Sequence, residues 1–181
     1  EINSRLPHTE ILPVLENALT FVQYQHKELQ GHHHAHIKSL AQGNINITLD
    51  YCCHPSLSKS DSQHLVLDAA IRFLKCAGFD LAPAHSVTPG PSERPPKIAH
   101  RLLQAKEFGV LQSLNMDETQ TLQDKLTFLS LAQNEVLLSR GDQKETIYIV
   151  AEGHLKIEIP RKSAQDHHEK WIEVGKCWPG D

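Results

Sequence analysis

Five prolines crowd into residues 83–96, within the run "PAHSVTPGPSERPPK": Pro83, Pro89, Pro91, Pro95 and Pro96. Proline fixes φ, removes a backbone donor and steers the residue before it away from helix. No regular element can run through this stretch, so it divides the chain. We expect a semi-rigid linker at 89–97, with one unit at 1–88 and another at 98–181. A proline-rich ligand for a recognition module is the other reading of such a run, and the weaker one.

The apolar pattern changes across that boundary. Upstream, Ile11, Leu15, Ala18 and Val22 fall on one stripe, with Leu12 and Leu19 beside it, which predicts a helix over 9–23. Thr9 can cap it, and Pro13 falls near the first turn. "QGHHHAHIKSLAQGN" is polar without clear periodicity and reads as a loop. "INITLDY" alternates as a half-buried strand. Ser60 or Asp61 can cap a second helix to about Ala77, with Val66, Ala69, Ala70, Phe73 and Leu74 on its apolar face. Gly78 stops it, and "FDLA" reads as a short strand. The order helix, strand, helix, strand predicts one small α/β layer.

Bulk properties restrict function. The chain of 181 residues is 39% hydrophobic and 22% charged, which is globular composition. A net charge of −4 gives no basic footprint for nucleic acid. No apolar run is long enough to span a bilayer. The first residues form no signal peptide and contain no initiator Met, so the chain reads as cut at both ends. There is no G-x-S-x-G, Walker A or G-x-G-x-x-G, and no enzyme is expected.

Histidine is the loudest local signal. His32, His33, His34 and His36 could hold zinc, copper or nickel. A site of that kind needs ligands fixed by a fold and backed by second partners, and a polar loop offers neither. The expectation is therefore no metal site. A jelly-roll metalloenzyme using His154, His167 and His168 is a further alternative, but no three-ligand set is visible. Cys52, Cys53, Cys76 and Cys177 form no C-x-x-C pair and read as reduced, mostly buried thiols.

Downstream of the prolines, Ile98 to about Val110 reads as a helix. "LNMDETQTLQDKLTFLSL" reads as another, capped by Asp117. The period then falls to two. Val136 and Leu138, Ile147 and Ile149, then Leu155, Ile157 and Ile159 predict successive strands, and "WIEVGKCW" predicts one more beyond the polar loop "RKSAQDHHEK". The expected fold class is α+β: a small α/β domain, then helices and an incomplete antiparallel, jelly-roll-like β-roll.

The residues "RGDQKETIYIVAEGHLKI" and "VGKCWPGD", with helices ahead of them, resemble the start of a cyclic-nucleotide-binding domain over about 98–181. Gly141, Gly153 and Gly180 match its turn glycines, where L-residues are disfavoured. The resemblance implies that Ile157 and Gly175 wall a nucleotide pocket, and that the ligand of the complete domain is cAMP or cGMP. It also implies that the second Gly-Asp leads into a phosphate-holding helix, with an arginine and a glutamate, beyond Asp181.

"HTEILPVLENALTFV", "INITLDYCCHP" and "SDSQHLVLDAAIRFLKCAGFDLAPA" are similar to the cytoplasmic α/β domain of bacterial small-conductance mechanosensitive channels, over about 7–84. Together the two resemblances imply a non-catalytic regulatory segment on the cytoplasmic side of a membrane channel, joined to the membrane upstream and forming a homo-oligomer. A soluble cyclic-nucleotide-dependent regulator of another effector is the alternative.

Overall fold

The computed structural model describes residues 2–3, 8–41, 44–79, 109–143, 145–162 and 169–181. The proline-rich stretch, the "FDLA" strand after Phe79, the helix expected from Ile98 up to residue 108, and His167 and His168 lie outside them, and the end of that expected helix falls in a 3-10 helix at Gly109–Ser113. Helix and sheet are mixed, in an α+β arrangement: three α-helices and two small antiparallel sheets among the described residues.

Helix α1 spans His8–Gln25 and α2 spans Lys59–Cys76. Strands β1 (Ile2–Asn3), β2 (His33–Ala41) and β3 (Asn44–Tyr51) form one sheet in the order β1-β3-β2. Both helices contribute to one core. Ile11, Val14, Leu15, Ala18, Leu19 and Val22 recur at helical spacing on α1, and Val66, Ala69, Ala70, Phe73 and Leu74 answer from α2. Ala35 of β2 is buried with them, and Ile47, Leu49 and Tyr51 of β3 pack on the cluster. This is a helix layer on one face of a sheet.

The ends of α2 show how sequence sets its limits. Its N-cap is Ser58, two residues ahead of the expected Ser60, because Asp61 stands three positions on. The Ser58 hydroxyl accepts from the Asp61 N–H at 3.1 Å and donates to Asp61 Oδ2 at 2.6 Å. At the other end Gly78 has φ +76°. Its N–H donates to Lys75 O, and the Phe79 N–H donates to Leu74 O. That paired closure requires a left-handed residue, which glycine adopts without Cβ strain.

The histidine run is a strand, not the expected loop. β2 pairs antiparallel with β3 from His33↔Tyr51 to Ala41↔Asn44, with a bulge at Lys38 between Ile37 and Ser39. Its period was hidden because the inward positions are His33, Ala35 and Ile37, of which only the last is strongly apolar, and the outward ones are also histidines.

The second unit departs further from expectation. Helix α3 covers only Met116–Gln123. Its cap is Asn115 rather than Asp117, because Asn115 and Glu118 satisfy each other's backbone N–H groups at 2.9 and 2.8 Å. The strands expected at Val136–Leu138 and Ile147–Val150 do not form. Val136, Leu138 and Ile147 are exposed, and period-two alternation makes a strand only where another strand supplies the ladder. β4 (Leu155–Lys162) and β5 (Glu169–Cys177) make a single antiparallel pair, and no jelly roll is present among the described residues. Among those residues no helix is long and apolar enough to cross a membrane.

Candidate functional site

Two Gly-Asp turns in the second unit are built alike. In Ser139–Asp142 the Asp142 N–H donates to Ser139 O, and the Ser139 N–H donates back to Asp142 Oδ2. In Trp178–Asp181 the Asp181 N–H donates to Trp178 O at 2.9 Å, and the Trp178 N–H donates to Asp181 Oδ2 at 2.8 Å. The second turn has Pro179 at its second position and Gly180, φ +92°, at its third. Those are the residues a type II turn selects: proline pre-sets one φ and glycine tolerates the positive one. Val150 fastens this turn, accepting from the Gly180 N–H and donating to Asp181 O.

The first turn is exposed, whereas the second is docked on the α/β layer. Trp178 is 2% exposed and belongs to the same core cluster as α1 and α2. Its ring meets Phe21 edge-on at 5.4 Å and lies 5.6 Å from Tyr24 and 6.4 Å from Phe73. Such aromatic arrangements add to the gain from burial alone. Its Nε1–H is buried without a partner among the described residues, so the fit rests on packing and ring contacts.

Polar contacts fix the register. Arg72 of α2 donates from Nε and Nη2 to Pro179 O at 3.0 and 2.7 Å, and from Nη2 to Asp181 Oδ1 at 3.2 Å. Its guanidinium also lies over the Phe21 ring. From α1, Asn17 donates to Gly153 O at 2.8 Å, and its Oδ1 sits 2.8 Å from His154 Nδ1. His154 lies 4.8 Å from the Trp178 ring, and Lys176 Nζ stands over both Tyr24 and Trp178. Burial first, and then the Lys176 charge, hold the His154 pKa below its ordinary value, against a smaller opposing pull from Glu173. The whole is a clasp of aromatic and charged groups that joins the end of β5 to α1 and α2.

The residues expected from sequence fall in several places. Ile157 and Gly175 are brought together as a directly opposed pair on β4 and β5, at a bulge whose extra residue is Val174. Ile157 is 45% exposed there, on an open hairpin face. Two shallow depressions among the described residues lie elsewhere, one along α3 and one around Tyr51, Cys53 and His54. Gly141, Gly153 and Gly180 have φ of +93°, +75° and +92°. Cys76 is buried, but Cys52 and Cys53 are exposed, since both follow the last residue of β3.

Comparison with protein-family models, with curated proteins and with solved structures finds no match.

Sequence reasoning missed Arg72 and Asn17. Each is an ordinary polar residue beside an apolar helix stripe, and its partner lies more than 100 residues away. Trp178 carried a usable signal, as a large aromatic directly ahead of Pro-Gly-Asp.

Proposed function

We propose that this chain is a non-catalytic regulatory segment in which occupancy of a β-roll is passed to the α/β layer through the Trp178–Asp181 clasp. The roll's ligand is cAMP or cGMP, and the setting is the cytoplasmic side of a mechanosensitive-type bacterial channel, assembled from like subunits. The observation that carries this reading is the tie between Arg72 and the Pro179 carbonyl. In the family that the second unit resembles, Gly-Asp leads straight into the helix that holds the cyclic phosphate. A ligand that reorients that helix pulls on Gly180 and Asp181, and hence on α2. Coupling of this kind needs only that the docked and undocked states differ in nucleotide affinity.

The exposed apolar residues of the second unit also support the reading. Ile157 and Ile159 of β4 and Trp171 and Val174 of β5 are about half exposed, as is Leu138, and Val136 and Ile147 are more so. A complete jelly-roll-like domain would give such residues partners.

The test is titration of cAMP and cGMP into the intact gene product, wild type and Arg72→Ala, with affinity by calorimetry and Trp178 emission in a Trp171→Phe background. Binding accompanied by an emission change in the Arg72 protein, and by none in the variant, is expected. If neither nucleotide binds, the ligand assignment fails. If one binds and Trp178 does not respond, the transmission route fails.

A further inference from the structure

Strand β2 places His34 and His36 two residues apart on one face, the face turned away from the core. Their rings stack at 5.9 Å with 24° between planes, and their side chains are 70% and 43% exposed. Each ring is held through the same nitrogen. His34 Nδ1 lies 2.8 Å from Glu16 Oε1, and His36 Nδ1 lies 3.2 Å from Asp50 Oδ2. A carboxylate facing Nδ1 makes that nitrogen the protonated one, which leaves the Nε2 lone pair available. The two Nε2 atoms have no partner among the described residues.

Glu16 does more than orient one imidazole. Its Oε1 also accepts the Ala35 N–H at 2.6 Å, an edge-strand donor that β3 does not use. The backbone between the two histidines is thereby pinned to α1. Asp50 stands opposite His34 across the ladder and reaches His36 on the diagonal. Imidazoles on a fixed strand, each with a carboxylate behind Nδ1, are the arrangement by which proteins orient histidine toward a transition metal.

We propose that His34 and His36 form a surface site for a divalent transition-metal ion of the copper, nickel and zinc class, with Glu16 and Asp50 as the outer carboxylates. No third His, Cys, Asp or Glu side chain among the described residues joins them, so water fills the remaining positions of an open site. An ion about 2.0–2.1 Å from each Nε2 draws the two ring edges together. For a nitrogen pair of this type copper binds more tightly than nickel or zinc.

The test is calorimetric titration of copper(II), nickel(II) and zinc(II) salts, separately, into this chain and into His34→Gln, His36→Gln and Asp50→Asn, above the ordinary histidine pKa. One equivalent is expected, tightest for copper. Loss of either histidine should lower affinity at least about tenfold, and Asp50→Asn, with both ligands retained, about 10–100-fold. All three side chains are exposed, so the melting temperature without metal should stay near wild type, and metal should raise it only where the pair is intact. Ring resonances of His34 and His36 should shift with the first equivalent. Equal affinity in wild type and both histidine variants would place the ion on other histidines and overturn the site. Unchanged affinity in Asp50→Asn would overturn the role of that carboxylate.

Discussion

Arg72 and Pro179, 107 residues apart in sequence, are joined by two hydrogen bonds from one guanidinium to one carbonyl. Pro179 is fully buried and Arg72 mostly so. A proline carbonyl held in that position has no water to turn to, and the fork geometry of arginine suits it in a way that an ammonium does not.

Replacing Arg72 with Ala leaves the buried Pro179 carbonyl short of donors. The expected loss is about 2 kcal/mol of stability, the scale for a charge-assisted bond whose partner stays buried. Arg72→Lys should recover only part of it. Urea unfolding of the three proteins measures this, and wild-type stability in Arg72→Ala would show that the contact contributes nothing.

Stability should depend on pH through His154. Its pKa is lowered in the folded protein by burial and by Lys176, so folding favours the neutral ring. The unfolded chain binds the proton more readily, near the ordinary value of about 6.5. The His154 contribution is therefore fully present above that value and falls as pH drops through it toward the lower folded pKa. Replacing His154 with Gln should flatten this part of the stability–pH curve. A slope unchanged by the substitution would assign the effect to another group.

The histidines of β2 should differ from one another. His33 faces inward, with Nε2 at 3.2 Å from the Thr20 hydroxyl. His33→Ala should cost about 1 kcal/mol. His34→Ala and His36→Ala, on the outer face, should each stay within about 0.5 kcal/mol. Thermal melts decide it, and equal effects at all three positions would argue against the alternating register.

These contrasts mark what the sequence could and could not disclose. Helix α1 and helix α2 were legible because their apolar stripes are long and regular, and Gly78 announced the end of α2. β3 was legible because Ile45, Ile47 and Leu49 alternate with polar residues. β2 was not, because a strand whose inner positions are His33 and Ala35 carries almost no period-two signal. The reverse error occurred at Val136–Val150, where alternation is clear but no partner strand among the described residues answers it. Both Gly-Asp turns could be anticipated from local chemistry. The docking of only one of them could not, since it depends on Arg72, Phe21 and Asn17, which the chain brings to Trp178 from far away.

The most direct test of the clasp is the environment of Trp178 itself. In a Trp171→Phe protein, Trp178 is the sole tryptophan, because the chain has two. At 2% exposure against Phe21, Tyr24 and Phe73, its emission should be blue-shifted and shielded from acrylamide. Arg72→Ala in the same background should shift the emission to the red and open the indole to quencher. Emission and quenching like those of free tryptophan in the unsubstituted Arg72 protein would contradict the account.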